Sequence, residues 1–307
     1  MTSFETPILL LIFNRPNHTK RVFDQIRRVK PAKLFVVADG PRKDNSDDRV
    51  NCELVRSMIM NMIDWECDVK TRFRDNNLGC GVGPAEGITW FFEQVEMGII
   101  LEDDCMPSLS FFTFCSLLLM KYRNAENIFA ISGFNYCGKW KKKKYDYFFS
   151  DGGNWGWASW RRAWQFFDYS MKTWEGIDEA KRKQVTDFYP DFNIIYNKIK
   201  KENFDAWDIQ WHYARLYHNA LSITPTLNLV MNIGFDHFAT HTSQPNSYIS
   251  KLKSFEISFA KELKGPADFT TDLAFRKEIL KFSEPKRENS LLRIAKKTIK
   301  RILGLSR

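Results

Sequence analysis

The stretch Gly98-Ile99-Ile100-Leu101-Glu102-Asp103-Asp104-Cys105-Met106-Pro107 decides the fold. Its apolar, partly β-branched start predicts a buried strand, and the strand must stop at three consecutive acids followed by a proline that cannot continue a ladder. Carboxylates crowded at the end of a buried strand repel one another unless a cation lies between them. Hard oxygen ligands suit Mg²⁺ or Mn²⁺, which typically bind through one or two carboxylates plus substrate phosphates. The other reading of the triplet is a solvated acidic turn that caps a helix opened by Pro107.

Working outward, the same pattern recurs. Thr6-Pro-Ile-Leu-Leu-Leu-Ile-Phe-Asn14 and Lys33-Leu-Phe-Val-Val-Ala38 are apolar runs of strand length, and Cys67 to Phe73 is a third candidate strand. Helical stretches separate them: His18 to about Val29, Asp48 to Ile63, and Pro84 to Met97. Two-sided apolar strands alternating with helices predict an α/β fold, a Rossmann-type, mostly parallel sheet sandwiched by helices. In such sheets ligands collect outside the carboxyl ends of the strands. Four polar clusters fall there: Asn14-Arg15, Asp39-Gly40, the loop from Arg74 to Gly83 that contains Asn77, and Glu102-Asp103-Asp104. Gly79, Gly81 and Gly83 match neither the P-loop nor the dinucleotide fingerprint, so that loop reads as a flexible turn or a phosphate cradle.

After Pro107 the chain continues as an amphipathic helix to about Tyr122 and a short strand at Ile128–Ser132 that ends in Gly133-Phe134-Asn135. Lys141 to Lys144 are four consecutive lysines, a solvated loop or a contact for an anionic acceptor or lipid phosphate. Trp157, Trp160 and Trp164 stand at spacings of three and four, which predicts one buried helical face. Trp155, between Gly153 and Gly156, is the better candidate for stacking on a sugar. A helix opens near Phe204-Asp205-Ala206-Trp207-Asp208 and runs to about Asn219, where either acid serves as a cap or first-turn acid or as a working carboxylate. His237 and His241 lie in loop-like sequence, as structural histidines or, for His241, as a metal ligand.

With 307 residues, 44% of them apolar, the chain has ample material for a core. Its six cysteines form no Cys-x-x-Cys pair and read as reduced thiols, and no apolar run reaches membrane-spanning length. The net charge of +9 is concentrated at the end: eight basic residues from Lys286 to Arg307 face Glu288 alone. A nearly neutral body argues against nucleic acid as a partner. In the tail, Leu291, Ala295, Ile299 and Ile302 share one helical face opposite Lys and Arg, the pattern of a helix lying on an anionic membrane surface.

Assembled, these residues resemble the nucleotide-diphospho-sugar transferases of the GT-A fold, in particular the lineage that includes N-acetylglucosaminyltransferase I, over residues 7 to about 242. The resemblance implies Asp104 as the direct ligand of Mn²⁺ or Mg²⁺ and Asp103 near the ribose or donor sugar. It implies Arg15, Asp39, Gly40, Asn77 and Asn135 in the nucleotide-sugar site, with Trp155, Asp205 and His241 as acceptor or donor-sugar candidates. The Trp207-Asp208 pair looks like the segment that supplies the catalytic base, so Asp208 is expected to be catalytic. The partners implied are a nucleotide-diphospho-sugar donor and a glycan or lipid-linked acceptor. The expected layout is a GT-A domain over residues 1–245 (nucleotide half 1–105, acceptor half 106–245), a helical extension over 246–289 and the basic tail over 290–307. The expected location is cytoplasmic, peripheral on the inner face of the membrane. Some bacterial chains of this appearance are labelled haemolytic proteins, which makes a non-catalytic membrane-active protein the rival reading.

Overall fold

All five side chains of β1 (Ile8–Ile12) are buried because its sheet is covered on both faces. Ile8, Leu10 and Ile12 enter one apolar cluster with Val22, Phe23, Phe111 and Leu118. Leu9 and Leu11 enter another with Ile88, Phe91, Trp157 and Trp211. A strand of this kind has no polar face to show, hence the uninterrupted apolar run. The structure is a computed structural model describing residues 4–140, 144–201, 205–235, 248–258 and 262–283.

Three β–α pairs open the fold. After β1 come α1 (Pro16–Val29), β2 (Lys33–Ala38), α2 (Ser46–Met62), β3 (Asp68–Phe73), α3 (Gly79–Gln94) and β4 (Met97–Glu102). Then follow β5 (Cys105–Pro107), α4 (Leu109–Lys121), β6 (Ile128–Ser132), β7 (Tyr147–Ser150), β8 (Trp157–Trp160) and α5 (Arg161–Trp164). The remainder is α6 (Lys172–Glu175), α7 (Glu179–Phe188), α8 (Phe192–Lys201), α9 (Asp208–Tyr217), β9 (Leu221–Pro225), β10 (Val230–Asn232) and α10 (Leu273–Ser283).

Eight strands form one sheet in the order β3-β2-β1-β4-β8-β6-β9-β7. The half from β3 to β4 is parallel, as the alternation predicts. Beyond it the sheet is mixed: β8 is antiparallel to both β4 and β6, β9 is parallel to β6, and β7 is antiparallel to β9. The chain thus has a doubly wound α/β architecture with a central mixed sheet flanked by helices. Because β1 lies between β2 and β4, the sheet reverses its winding there, and a crevice opens outside the carboxyl ends of those strands.

The tryptophans correct one expectation and meet another. Trp157 and Trp160 are in β8 and Trp164 ends the short α5, so they do not share a helical face. All three are nevertheless buried. Trp157 lies within 6.0 Å of the rings of Trp164, Trp207 and Trp211, measured between centroids. Trp157→Ala is expected to cost about 3–5 kcal/mol in urea unfolding, the range for removing a large buried aromatic side chain. The Trp157 indole N–H is buried without a partner, so Trp157→Phe should cost distinctly less.

The chain divides into two compact units, 1–272 and 273–307, and of the second only α10 is described. Residues 248–258 and 262–272 therefore belong with the sheet. Glu256 shows how: its carboxylate accepts the Leu109 and Ser110 N–H groups at 2.9 Å each, capping α4 from a distant segment. His237, His241, Lys141 to Lys143 and the tail from Leu291 lie outside the described residues. Among the described residues no helix is long and apolar enough to cross a membrane.

Candidate functional site

Adjacent strands create the site. Leu11 of β1 pairs with Glu102 of β4, so the residues that follow each strand emerge side by side. Arg15, just before α1, crosses to the acids: one guanidinium nitrogen donates to Asp103 Oδ1 at 2.6 Å and the other to Asp104 Oδ2 at 3.1 Å. Burial alone would lower the Arg15 pKa, but Asp103 and Asp104 overcome that and hold it above its usual value. Burial raises the Glu102 carboxyl well above the ordinary range, and repulsion from Asp104, Asp208 and Asp103 adds to the rise. Burial also raises Asp103, against the pull of Arg15. One arginine is too little positive charge for this cluster, and Asp103 Oδ2 stays buried with no hydrogen-bond partner.

Among the described residues no group of three or more His, Cys, Asp or Glu is arranged to hold a metal by itself. Mg²⁺ and Mn²⁺ do not require one when substrate phosphates complete the shell. Asp104, with the orphaned oxygen of Asp103 beside it, fits that mode of binding.

A second strand pair covers the acids. β10 pairs antiparallel with β5, and the Ile233 N–H then donates to the Asp104 carbonyl at 2.8 Å. A side chain at Gly234 would meet the Asp104 carboxylate and displace it, so glycine lets the turn pass without moving Asp104. Phe235 next meets the Trp155 ring edge-on at 5.8 Å, and Trp155 meets Phe134 at 4.6 Å. Trp155 is half-buried and is brought to the rim that carries Asp104. The β5–β10 ribbon has no signal in either strand alone, since each is three residues long.

Asp39, following β2, organises the glycine loop. Its carboxylate accepts N–H groups from Gly40, Leu78 and Gly79 at 2.9 to 3.1 Å and the Asn77 side-chain amide at 2.9 Å. The bonds to Leu78 and Gly79 satisfy the start of α3, which therefore begins at Gly79, five residues before the expected Pro84. The Asn77 amide also reaches the Gly40 carbonyl at 2.9 Å. Asp39 and Asn77 thus hold the loop in place, and only Gly allows position 40 to touch the Asn76 backbone. Gly40→Ala is expected to cost about 1–3 kcal/mol by overpacking against that backbone, read as a lowered urea midpoint.

Asn135 does not reach the rim. It is fully buried and donates its amide to the Pro225 carbonyl at 2.8 Å, while its own oxygen accepts the Cys137 N–H at 2.9 Å. Its place is structural, tying the end of β6 to β9, which corrects the expected donor contact.

The two acids near α9 separate clearly. Asp205 is not the helix cap: Trp207 takes that position, with no side-chain hydrogen bond. The Asp205 carboxylate accepts the Tyr169 hydroxyl at 3.3 Å and the Cys80 thiol at 3.5 Å, and it lies against Gly79 and Gly81. Burial and the Asp205 charge push the Cys80 thiol up to about 12. Asp208 is exposed in the first turn of α9, close enough to Glu102 to raise its pKa. Trp207 and Trp211 are buried in the core, and Asp208 stays exposed.

No family model and no curated protein matches the chain. Solved structures give loose likenesses. The mannosyltransferase PcManGT from Pyrobaculum calidifontis, in complex with GDP-Man and Mn²⁺, is 11% identical over 50% of this chain and 44% of its own, with a TM-score of 0.34. This chain thus spans under half the length of that enzyme. A UDP-glucose pyrophosphorylase complexed with UDP-glucose is 11% identical over 74% of this chain and 92% of its own, at 0.35. The 4-diphosphocytidyl-2C-methyl-D-erythritol synthase from Anaerococcus prevotii is 11% identical over 61% and 85%, at 0.31.

Proposed function

We propose that this chain is a metal-dependent glycosyltransferase that moves a sugar, with inversion, from a nucleotide-diphospho-sugar, a UDP-sugar, to a hydroxyl of a glycan or lipid-linked acceptor. One observation carries the reading: three acids and Arg15 meet at the switch point of a doubly wound sheet, with a buried Asp103 oxygen left unpartnered. Such a site stores negative charge that a divalent cation would neutralise, and that cation could in turn hold an anionic diphosphate.

In this reading Asp104 and Asp103 would hold Mn²⁺ or Mg²⁺, which supplies Lewis-acid stabilisation of the leaving diphosphate when bound. Arg15 aims both carboxylates through its forked hydrogen bonds. Asp39 holds the Asn77–Gly79 loop beside the donor. Asp208, exposed on α9, takes the proton from the acceptor hydroxyl as the anomeric centre inverts. The N-acetylglucosaminyltransferase I lineage, a role in cell-surface polysaccharide or lipopolysaccharide synthesis, and a cytoplasmic, membrane-peripheral location through the basic tail belong to the same proposal. The tail supports the last of these by its charge, since each basic residue near an anionic surface contributes about 1 kcal/mol.

Thermal unfolding with a panel of sugar nucleotides, with and without Mn²⁺, tests it. At a ligand concentration 100 times Kd the stabilisation is about 2.7 kcal/mol, a rise of about 4 °C for a chain of this size. If no sugar nucleotide gives a Mn²⁺-dependent rise, the chain is not such an enzyme.

A further inference from the structure

The outer face of α3 carries a cavity of about 730 Å³ that takes no part in the site above. Val82, Ala85, Glu86, Thr89, Trp90 and Glu93 form its floor at helical spacings of three and four. From Val82 to Glu93 that floor runs for about 17 Å at 1.5 Å per residue. Phe167, Tyr169 and Lys172 make one wall, and Arg72 of β3 stands on the other.

We infer that this groove binds a neutral oligosaccharide, the part of a glycan acceptor that extends away from the reacting hydroxyl. The inference rests on the glycosyltransferase reading. Three features select the occupant. Trp90 and Phe167 are half-buried, each braced from behind, Trp90 edge-on by Phe35 at 5.5 Å and Phe167 stacked on Trp164 at 4.2 Å. Rings held this rigidly offer flat faces to the apolar side of a pyranose at little entropic cost. Between them are polar groups without protein partners among the described residues: the Arg72 guanidinium, the Trp90 indole N–H and the Glu93 carboxylate. Donors and acceptors set among aromatic walls match sugar hydroxyls.

Charge excludes the anionic alternatives. Glu86 is paired with Arg74 at 2.7 Å, and Arg72 and Lys172 are balanced by Glu93 and Asp168, so the groove offers no surplus charge to a nucleotide or phosphate.

Tyr169 links the groove to the neighbourhood of the site. Tyr169 lines the groove, and its hydroxyl donates to Asp205, which sits on Gly79 and Gly81 beside the loop that Asp39 holds. A chain of sugars lying along α3 would therefore lead toward the rim.

Saturation-transfer NMR and calorimetry with neutral gluco-, galacto-, manno- and N-acetylhexosamine di- and tetrasaccharides test this on the full chain. At least one tetrasaccharide is expected to bind more tightly than its disaccharide, and Trp90→Ala should weaken it about tenfold or more. Because Trp90 touches Phe35, the surface variants Arg72→Ala and Glu93→Gln, which leave that packing intact, should each weaken it as well. The Mn²⁺-dependent thermal shift with sugar nucleotide should be unchanged in all three. Absence of binding by every tetrasaccharide, or binding indifferent to the Trp90 and Arg72 changes, overturns the groove. Loss of the sugar-nucleotide shift in the wild type alone would instead remove the transferase reading and leave a glycan-binding groove.

Discussion

Asp104→Ala is expected to abolish Mn²⁺-dependent binding of the sugar nucleotide, with a loss of at least about 100-fold, beyond the 10–100-fold typical of removing a ligand's supporting partner. In the proposed reading Asp104 and the unpartnered oxygen of Asp103 would hold a cation between the protein and a diphosphate. Removing Asp104 leaves a single acid for that task and frees half of the Arg15 fork, which then has only Asp103 to bind. The folded state itself should tolerate the change, because repulsion within the Glu102–Asp104 cluster falls when one acid is removed. Calorimetry with and without Mn²⁺ decides the matter. An Asp104→Ala chain that binds donor with undiminished metal dependence would move the site elsewhere.

Asp208→Asn should leave donor binding intact and slow turnover by about 10²–10⁴-fold, the usual contribution of a positioned general base. A sugar hydroxyl is a very weak acid, so its proton must leave as the new bond forms. Asp208 has the exposure that an incoming acceptor needs, and its first-turn position on α9 fixes the direction of the side chain. The Asn154 side chain donates to the Asp208 backbone carbonyl at 3.4 Å, tying that turn to the loop that leads to Trp155. Asp205→Asn is the informative control. Its carboxylate is engaged by Tyr169 and Cys80, so the amide should lower stability or acceptor affinity with modest effect on the chemical step. Steady-state turnover with donor and a soluble acceptor separates the two. If the patterns are reversed, Asp205 is the base and Asp208 a surface acid.

Much of the acid rim was legible because its signal is local. A continuous apolar run at Ile8–Ile12 or Gly98–Leu101 can satisfy its side chains only between two covered faces, and the polar residues after it must then lie at one edge of the sheet. That reasoning placed Arg15, Asp39 and the Glu102–Asp104 triplet on one rim. It failed at Asn135, where a polar residue after a strand turned out to feed the backbone of a neighbouring strand. It failed again for Trp157 and Trp160, whose helical spacing coincides with a short strand followed by a single helical turn.

The sequence by itself determined the parallel first half and the acids at its edge, since each follows from periodicity or from charge crowded at a strand end. Only the tertiary structure decided that α3 starts at Gly79, that Arg15 is shared between Asp103 and Asp104, and that Gly234 closes over Asp104. In each case the deciding partner is remote in the chain, Asp39 for the helix start, the β4 acids for Arg15 and β5 for the turn at Gly234. Hydrogen bonds and ion pairs between segments leave no periodic trace in either segment, so they appear only when the sheet has brought the strand ends together.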